Sequence, residues 1–333
     1  MTGRARPTGK ARSSPGVGGR TGRAVLLVAL AAGLAAVSTG CSIKRMVAGS
    51  IGNALAGGGT TFTSDDDPEL VRDAIPFGLK TMEALLEIVP KHRGLLLAAC
   101  QGFAQYAFAF VESDADALAD TDRRASEAAR ARALRLYLRA RDYGLRGLEL
   151  RHRGIGARLQ REPEAAAATL DPRDLPLLFW TAGAWGSAIS AGRDRPELVA
   201  DLAAVTAMMR RALELDETYE AGAIHEAMIV VEALPEVMGG SPERAREHFQ
   251  RAVAHSEGRK ATPYVMLASS VSVAQQDRAE FERLLNDALA IDPDARPESR
   301  LETLVGQRRA RSLLEREDEL FLEAEPTEVE DTR

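Results

Sequence analysis

Cysteine is almost missing from this chain: only Cys41 and Cys100 occur among 333 residues. Two thiols cannot staple a domain of this length, so the fold must rest on a packed core and not on a disulfide framework. Aromatic residues make up only 5%, and no run of alternating polar and apolar residues marks a strand. Both shortages argue against sheet, while plentiful Ala, Leu, Glu and Arg argue for helix. The loops that hold nucleotides are lacking too, with no P-loop and no GxGxxG behind a strand. Neither GxSxG nor a Cys/His nucleophile arrangement occurs. His225 and Glu226 open HEAMI, but Ile229 stands where a metallopeptidase helix needs its second His. His248 and His255 are seven apart and share a helix face, yet no third ligand follows at useful spacing. They read as ordinary surface or interface histidines. The expectation is a protein without catalytic residues, metal or cofactor.

Acidic residues are missing from the first forty positions, which carry Arg4, Arg6, Lys10, Arg12, Arg20 and Arg23. Removing that segment takes the net charge from −6 to −12, so the remainder is acidic and ill suited to nucleic acid. Behind the basic stretch runs AVLLVALAAGLAAV, Ala24 to Val37. It is shorter than the roughly 20 residues a bilayer span needs. Ser38, Thr39 and Gly40 then precede Cys41. This reads as a signal peptide over 1–40 with Cys41 as the lipid anchor, although Leu is commoner where Ser38 stands. The plainer alternative is an ordinary secretory signal with an incidental cysteine. Ser42 is not Asp, which favours a periplasmic protein anchored in the outer membrane. Cys100, in LLLAACQGF, is left without an intrachain partner and reads as a buried small apolar residue. No later segment reads as long and apolar enough to cross a membrane.

Residues 41–64 read as a lipidated flexible tether. Ile43, Met46, Val47, Ile51 and Leu55 recur at helical spacing before Gly57, Gly58 and Gly59 supply slack. The folded body, 65–322, opens at DDDPELV, where Asp67 can cap a helix beginning at Pro68. Val71, Ile75, Leu79, Met82, Leu85 and Leu86 then form a helical stripe, which Pro90 ends. The segment GLLLAACQGFAQYAFAFVE follows. Further helices are expected over roughly 126–153, 175–191, 196–215, 219–234, 242–256, 263–273, 278–291 and 297–322. RALELDETY, RAVAHSEGR and DALAIDPDA repeat a helix end with Ala212, Ala252 and Ala288 in matching places. Such units suggest antiparallel helix pairs of tetratricopeptide type, an all-α, solenoid-like architecture. Residues 323–333 read as an acidic disordered tail.

Two features stand out within the body. Residues 123–153 hold ten arginines against Glu127, Asp142 and Glu149. They are either a solvated face with internal ion pairs or a docking surface for an acidic partner, with Arg132, Arg135, Arg139 and Arg146 as candidates. Phe103, Tyr106 and Phe110 form a core stripe, with Phe108 off it. Trp180 and Trp185 stand in LLFWTAGAWGSAIS among small residues. That pattern means either close helix packing or an apolar cavity wall, and the candidate pocket is Phe179, Trp180, Trp185 and Tyr106.

The order of segments carries a resemblance. CSIKRM, a Gly-rich tether, DDDPELVRDAIPFGLK, QYAFAFV, ARALRLYLRARDYGLRGLEL, FWTAGAWGSAIS, RRALELDETY, QDRAEFERLLNDALAIDPDA and QRRARSLL follow one another. Together they resemble the T-component (TatT) family of TRAP transporters, the tripartite ATP-independent periplasmic transporters, over about residues 41–322. The resemblance implies an all-helical periplasmic lipoprotein with cryptic tetratricopeptide-like repeats. It implies a homotrimer whose subunits carry an apolar pore or pocket. It also implies a partner, the periplasmic solute-binding protein, and a hydrophobic or organic-acid ligand to be handed over without catalysis. The competing expectation is a helical-repeat scaffold lipoprotein for envelope assembly that takes no small ligand.

Overall fold

The computed structural model describes residues 2, 45–55, 57 and 61–322. Cys41, the expected acidic tail and all of the expected signal peptide except Thr2 lie outside the described residues. The chain divides into two compact units, Met1–Ser50 and Ile51–Arg333. Residues 45–50 of the first and 51–55 of the second are helical.

Every regular element among the described residues is helical. In chain order these are α1 (Pro68–Ile88), α2 (Arg93–Ala117), α3 (Arg123–Glu149), α4 (Ile155–Arg161) and α5 (Pro163–Ala167). There follow α6 (Leu175–Ala191), α7 (Pro196–Val199), α8 (Leu202–Leu215), α9 (Tyr219–Glu232) and α10 (Pro242–His255). The last are α11 (Thr262–Leu267), α12 (Arg278–Leu289), α13 (Arg300–Glu315) and α14 (Glu317–Leu320). The caps follow the sequence. Asp67 accepts from the Glu69 and Leu70 amides at 3.1 Å each, Ser241 caps α10, and Asp277 accepts from the Glu280 amide at 2.9 Å.

Some boundaries differ from the sequence expectation. α3 begins at Arg123 because Asp122 accepts from the Ala125 amide and caps it there. The segment 196–215 is broken between α7 and α8. α4 and α5, of seven and five residues, fall outside the expected helices. The segment 297–322 opens with a 3-10 turn before α13. Thr63 and Ser64, expected in the tether, belong to the body: their carbonyls accept from the Leu301 amide and the Arg300 guanidinium at 2.9 Å.

α2 corrects a second expectation, because it is long and apolar enough to cross a membrane. Its apolar length is instead used as a core helix. Leu95, Leu96, Ala99 and Cys100 are fully buried, and α1, α3 and α6 pack around it. Glycines set these crossings. A Cβ on Gly144 would meet Thr181 Cβ at 2.9 Å and Cys100 Sγ at 3.0 Å, so α2, α3 and α6 meet where one residue lacks a side chain. Burial pushes the Cys100 thiol up to about 12, which keeps it protonated and inert. A π-turn over Ala107–Glu112 widens α2. Phe108, off the core stripe, lies there under the Arg309 guanidinium at 4.2 Å. The repeat alanines Ala212, Ala252 and Ala288 are all fully buried. The apolar interior falls into one cluster running from α1 to α9 and a second from α9 to α14.

Candidate functional site

Five of the ten arginines of 123–153 have ion-pair partners among the described residues, Arg139 through Glu83. Arg123 pairs with Glu127 at 2.9 Å, Arg141 with Asp142 at 2.8 Å and Arg130 with Asp116 at 3.5 Å. Arg151 reaches Asp171 and the buried Asp174 at 2.7 Å each. These form internal and local pairs. Arg135, Arg139 and Arg146 project from one face of α3, because steps of four and seven residues return to the same side of a helix. With Leu138, Asp142 and Tyr143 they line an open depression of about 430 Å³.

Two of the lining residues, Arg139 and Tyr143, tie this depression to Phe103 and Glu83, which do not line it. Arg146 lies 5.1 Å above the Tyr143 ring and Arg139 lies 5.2 Å above Phe103, and the two rings stack at 5.9 Å. The Tyr143 hydroxyl donates to Glu83 at 2.8 Å, and Arg139 holds the same carboxylate at 3.3 Å. Burial works to raise the Glu83 carboxyl. Hydrogen bonds from Lys80 and Tyr143 and the charge of Arg139 outweigh it and hold the group below its ordinary value. Burial, with the bond to Glu83, pushes the Tyr143 phenol up to about 12. Arg135 and Arg146 have no ion-pair partner among the described residues, so their charge is directed outward. Arg132, the fourth candidate, is not a lining residue; it lies 5.6 Å above the Tyr106 ring.

The four candidate pocket aromatics fall into three separate surroundings, with only Phe179 and Trp180 together. Phe179 contacts Trp180 at 5.2 Å and Tyr219 at 5.4 Å, both edge-on. Trp185 is 1% exposed, donates Nε1–H to Asp201 at 3.2 Å and lies beneath Arg141. The nearest ring to Tyr106 is Phe110, at 5.7 Å. The space beside the small residues of α6 is filled by α8, with Val205 at 3.3 Å from the position of a Gly186 Cβ and Met209 at 3.8 Å from that of Gly183. Close packing therefore occupies the room that the sequence suggested around Trp185. Phe179, Trp180 and Tyr219 remain as one aromatic cluster, with Phe179 buried and the other two half-buried.

Two polar clusters lie around α9. Lys260, nearly buried, donates to Glu226 Oε1 at 3.0 Å and to the Glu220 carbonyl at 3.2 Å, and it lies 3.3 Å from Glu302. Burial and neighbouring acids raise the Glu226 carboxyl, with Lys260 opposing. On the other side, His225 is fully buried, and its Nδ1 lies 2.8 Å from His248 Nδ1. The His225 ring stacks on His255 at 5.4 Å, and its Nε2 lies 3.8 Å from Glu217. Burial, then the positive charge of His248 and His255, pushes the His225 imidazole down to about 4. Between the clusters the start of α9 is left-handed at Glu220, Ala221 and Gly222, with φ of 46°, 55° and 88°. For Glu220 and Ala221 this costs roughly 1–2 kcal/mol each. Gly222 is required by contact as well, since a Cβ there would stand 3.0 Å from His255 Cβ.

Residues 64–321 match the family described as TRAP transporter T-component. The chain belongs to the TRAP transporter T-component family. As a T component it is an accessory part of a TRAP transporter system. A relative from Treponema pallidum (strain Nichols), itself named only as an uncharacterised protein, is 30% identical over 303 residues, covering 85% of this chain and 94% of the relative.

Of the four candidate arginines the structure brings Arg135, Arg139 and Arg146 to one depression, because one helix face carries all three, and leaves Arg132 outside it. Sequence reasoning did not bring Glu83 or Phe103 to them, since those come from α1 and α2. It also did not join Glu217 and His225 to His255. The near-motif HEAMI and the seven-residue spacing of His248 and His255 were the available signals, but they sit on two helices whose contact only the fold supplies.

Proposed function

We propose that this T component is a periplasmic lipoprotein, held to the outer membrane through Cys41, that docks the solute-binding protein of its TRAP system on the exposed face of α3. The observation that carries this reading is the outward charge of Arg135 and Arg146, unpaired among the described residues and set over one depression in a chain of net charge −6. Such a surface suits an acidic patch on the partner, and steering of this kind speeds encounter. The helix pairs marked by Ala212, Ala252 and Ala288 are read as tetratricopeptide-type units, and the assembly as a homotrimer. A hydrophobic or organic-acid ligand passed from the partner would meet the Phe179, Trp180 and Tyr219 cluster. Trp185 and Tyr106, buried elsewhere, would shape it only through packing.

The experiment is a titration of the full chain with the solute-binding protein encoded beside it. Binding at low salt that weakens as salt rises supports the reading, and no association at low salt overturns it. Mass spectrometry of the mature amino terminus tests the anchor separately. It should find diacylglyceryl on Cys41 after cleavage behind Gly40, lost together with membrane partitioning in Cys41→Ala.

A further inference from the structure

We propose that Glu217, His225 and His255 form a binding site for a divalent transition-metal ion, zinc by the chemistry of its donors, which clamps the turn between α8 and α9 onto the end of α10. One ligand atom from each of these residues lies within 4.8 Å of the others. His225 is fully buried, and its Nε2 makes no hydrogen bond. Buried polar atoms are nearly always satisfied, so an orphaned imidazole nitrogen aimed at a carboxylate and a second imidazole needs a partner. A cation supplies one.

The donor set decides which cation. Two imidazoles and one carboxylate are nitrogen and oxygen donors of the type that binds zinc with a fourth position left open. Tetrahedral zinc with bonds of about 2.0–2.1 Å sets its donors about 3.4 Å apart. His225 Nε2 and Glu217 Oε2 stand at 3.8 Å, a few tenths of an ångström wider. His255 is the last residue of α10 and half-exposed, so its ring can turn inward.

The surroundings fit a ligand histidine. A metal on Nε2 of His225 places the ring proton on Nδ1, which then donates to His248 Nδ1 across 2.8 Å. Metal-bound histidines characteristically donate their second ring N–H in this way, which fixes tautomer and orientation. The competing cation is Arg251, 3.6 Å from Glu217 Oε2. It is exposed and can swing away into solvent. The left-handed residues Glu220, Ala221 and Gly222 lie between Glu217 and His225, and a metal bridge across them would hold that turn in place.

Zinc alone is the probe, titrated by calorimetry into the full chain, untagged and stripped with chelator. The expected result is one zinc per chain and a melting temperature that rises with zinc concentration. Glu217→Gln and His255→Gln, at exposed and half-exposed positions that should leave the fold intact, should each weaken binding roughly tenfold or more. That is the least expected of a direct ligand when outer-shell partners already cost about 10- to 100-fold. His92→Gln, at a remote histidine whose Nδ1 caps α2, should leave zinc affinity and stoichiometry unchanged. No zinc binding by the wild-type chain overturns the proposal, as does binding that survives Glu217→Gln and His255→Gln undiminished.

Discussion

Gly144 of α3 lies against Thr181 of α6 with no room for a methyl group between them, since a Cβ would stand 2.9 Å from Thr181 Cβ. Gly144→Ala should therefore destabilise the chain even though alanine is the better helix former by about 0.8–1.0 kcal/mol. Overpacking costs about 1–3 kcal/mol, which exceeds that gain. Gly78 of α1 has nothing within 4 Å of its Cβ position, so Gly78→Ala should stabilise. Denaturant unfolding of the two variants should give shifts of opposite sign.

The ion pair of Lys260 and Glu226 is buried, and breaking one side of it leaves a charge stranded. Lys260→Met should cost about 3–5 kcal/mol. Adding Glu226→Leu should recover much of that loss, because both charges are then gone. Unfolding midpoints of the single and double variants measure the difference, and a double variant as weak as the single would count against the pair.

His225 links stability to pH. Its folded value, about 4, lies below the ordinary 6.5 because burial disfavours the cation. Between these values the unfolded chain takes up a proton that the folded chain refuses. Stability therefore falls as pH drops from 6.5 to 4, by at most about 1.4 kcal/mol per pH unit for one group. His225→Asn should remove this component. Melting temperature against pH for both proteins, compared as a difference, isolates it from the opposing slope of the raised Glu226 carboxyl.

The arginines of the α3 depression should matter unequally. Arg135→Glu and Arg146→Glu, at positions without ionic partners, should each weaken the solute-binding protein by about 1 kcal/mol, near fivefold. Screening should erase much of the effect as the Debye length shortens to about 8 Å at 0.15 M salt. Arg123→Glu, within a local pair on the same helix, should leave affinity unchanged. Binding titrations at two salt concentrations distinguish these cases.

Much of this protein was decided within single helices. Asp67 before Pro68, Ser241 before Pro242 and the stripe from Val71 to Leu86 are local signals, read from a cap or a period within one turn or two of backbone. The same is true of Arg135, Arg139 and Arg146, whose common face follows from helical geometry alone. The family, too, was legible as an order of segments.

What lay between helices was not legible in that way. Sequence gave Trp185 and its small neighbours two readings, cavity wall or close packing, and only the positions of Val205 and Met209 on α8 filled the space. It offered α2 no role as a span, although α2 has the length and apolarity of one, and α3 and α6 packed against it made it a core helix. It left His255 without a third ligand because Glu217, His225 and His255 come from a turn and two helices. Capping and periodicity act through bonds a few residues apart, so sequence order records them. The filling of a gap or the meeting of two imidazoles and a carboxylate depends on crossings of separate helices, which no local spacing encodes.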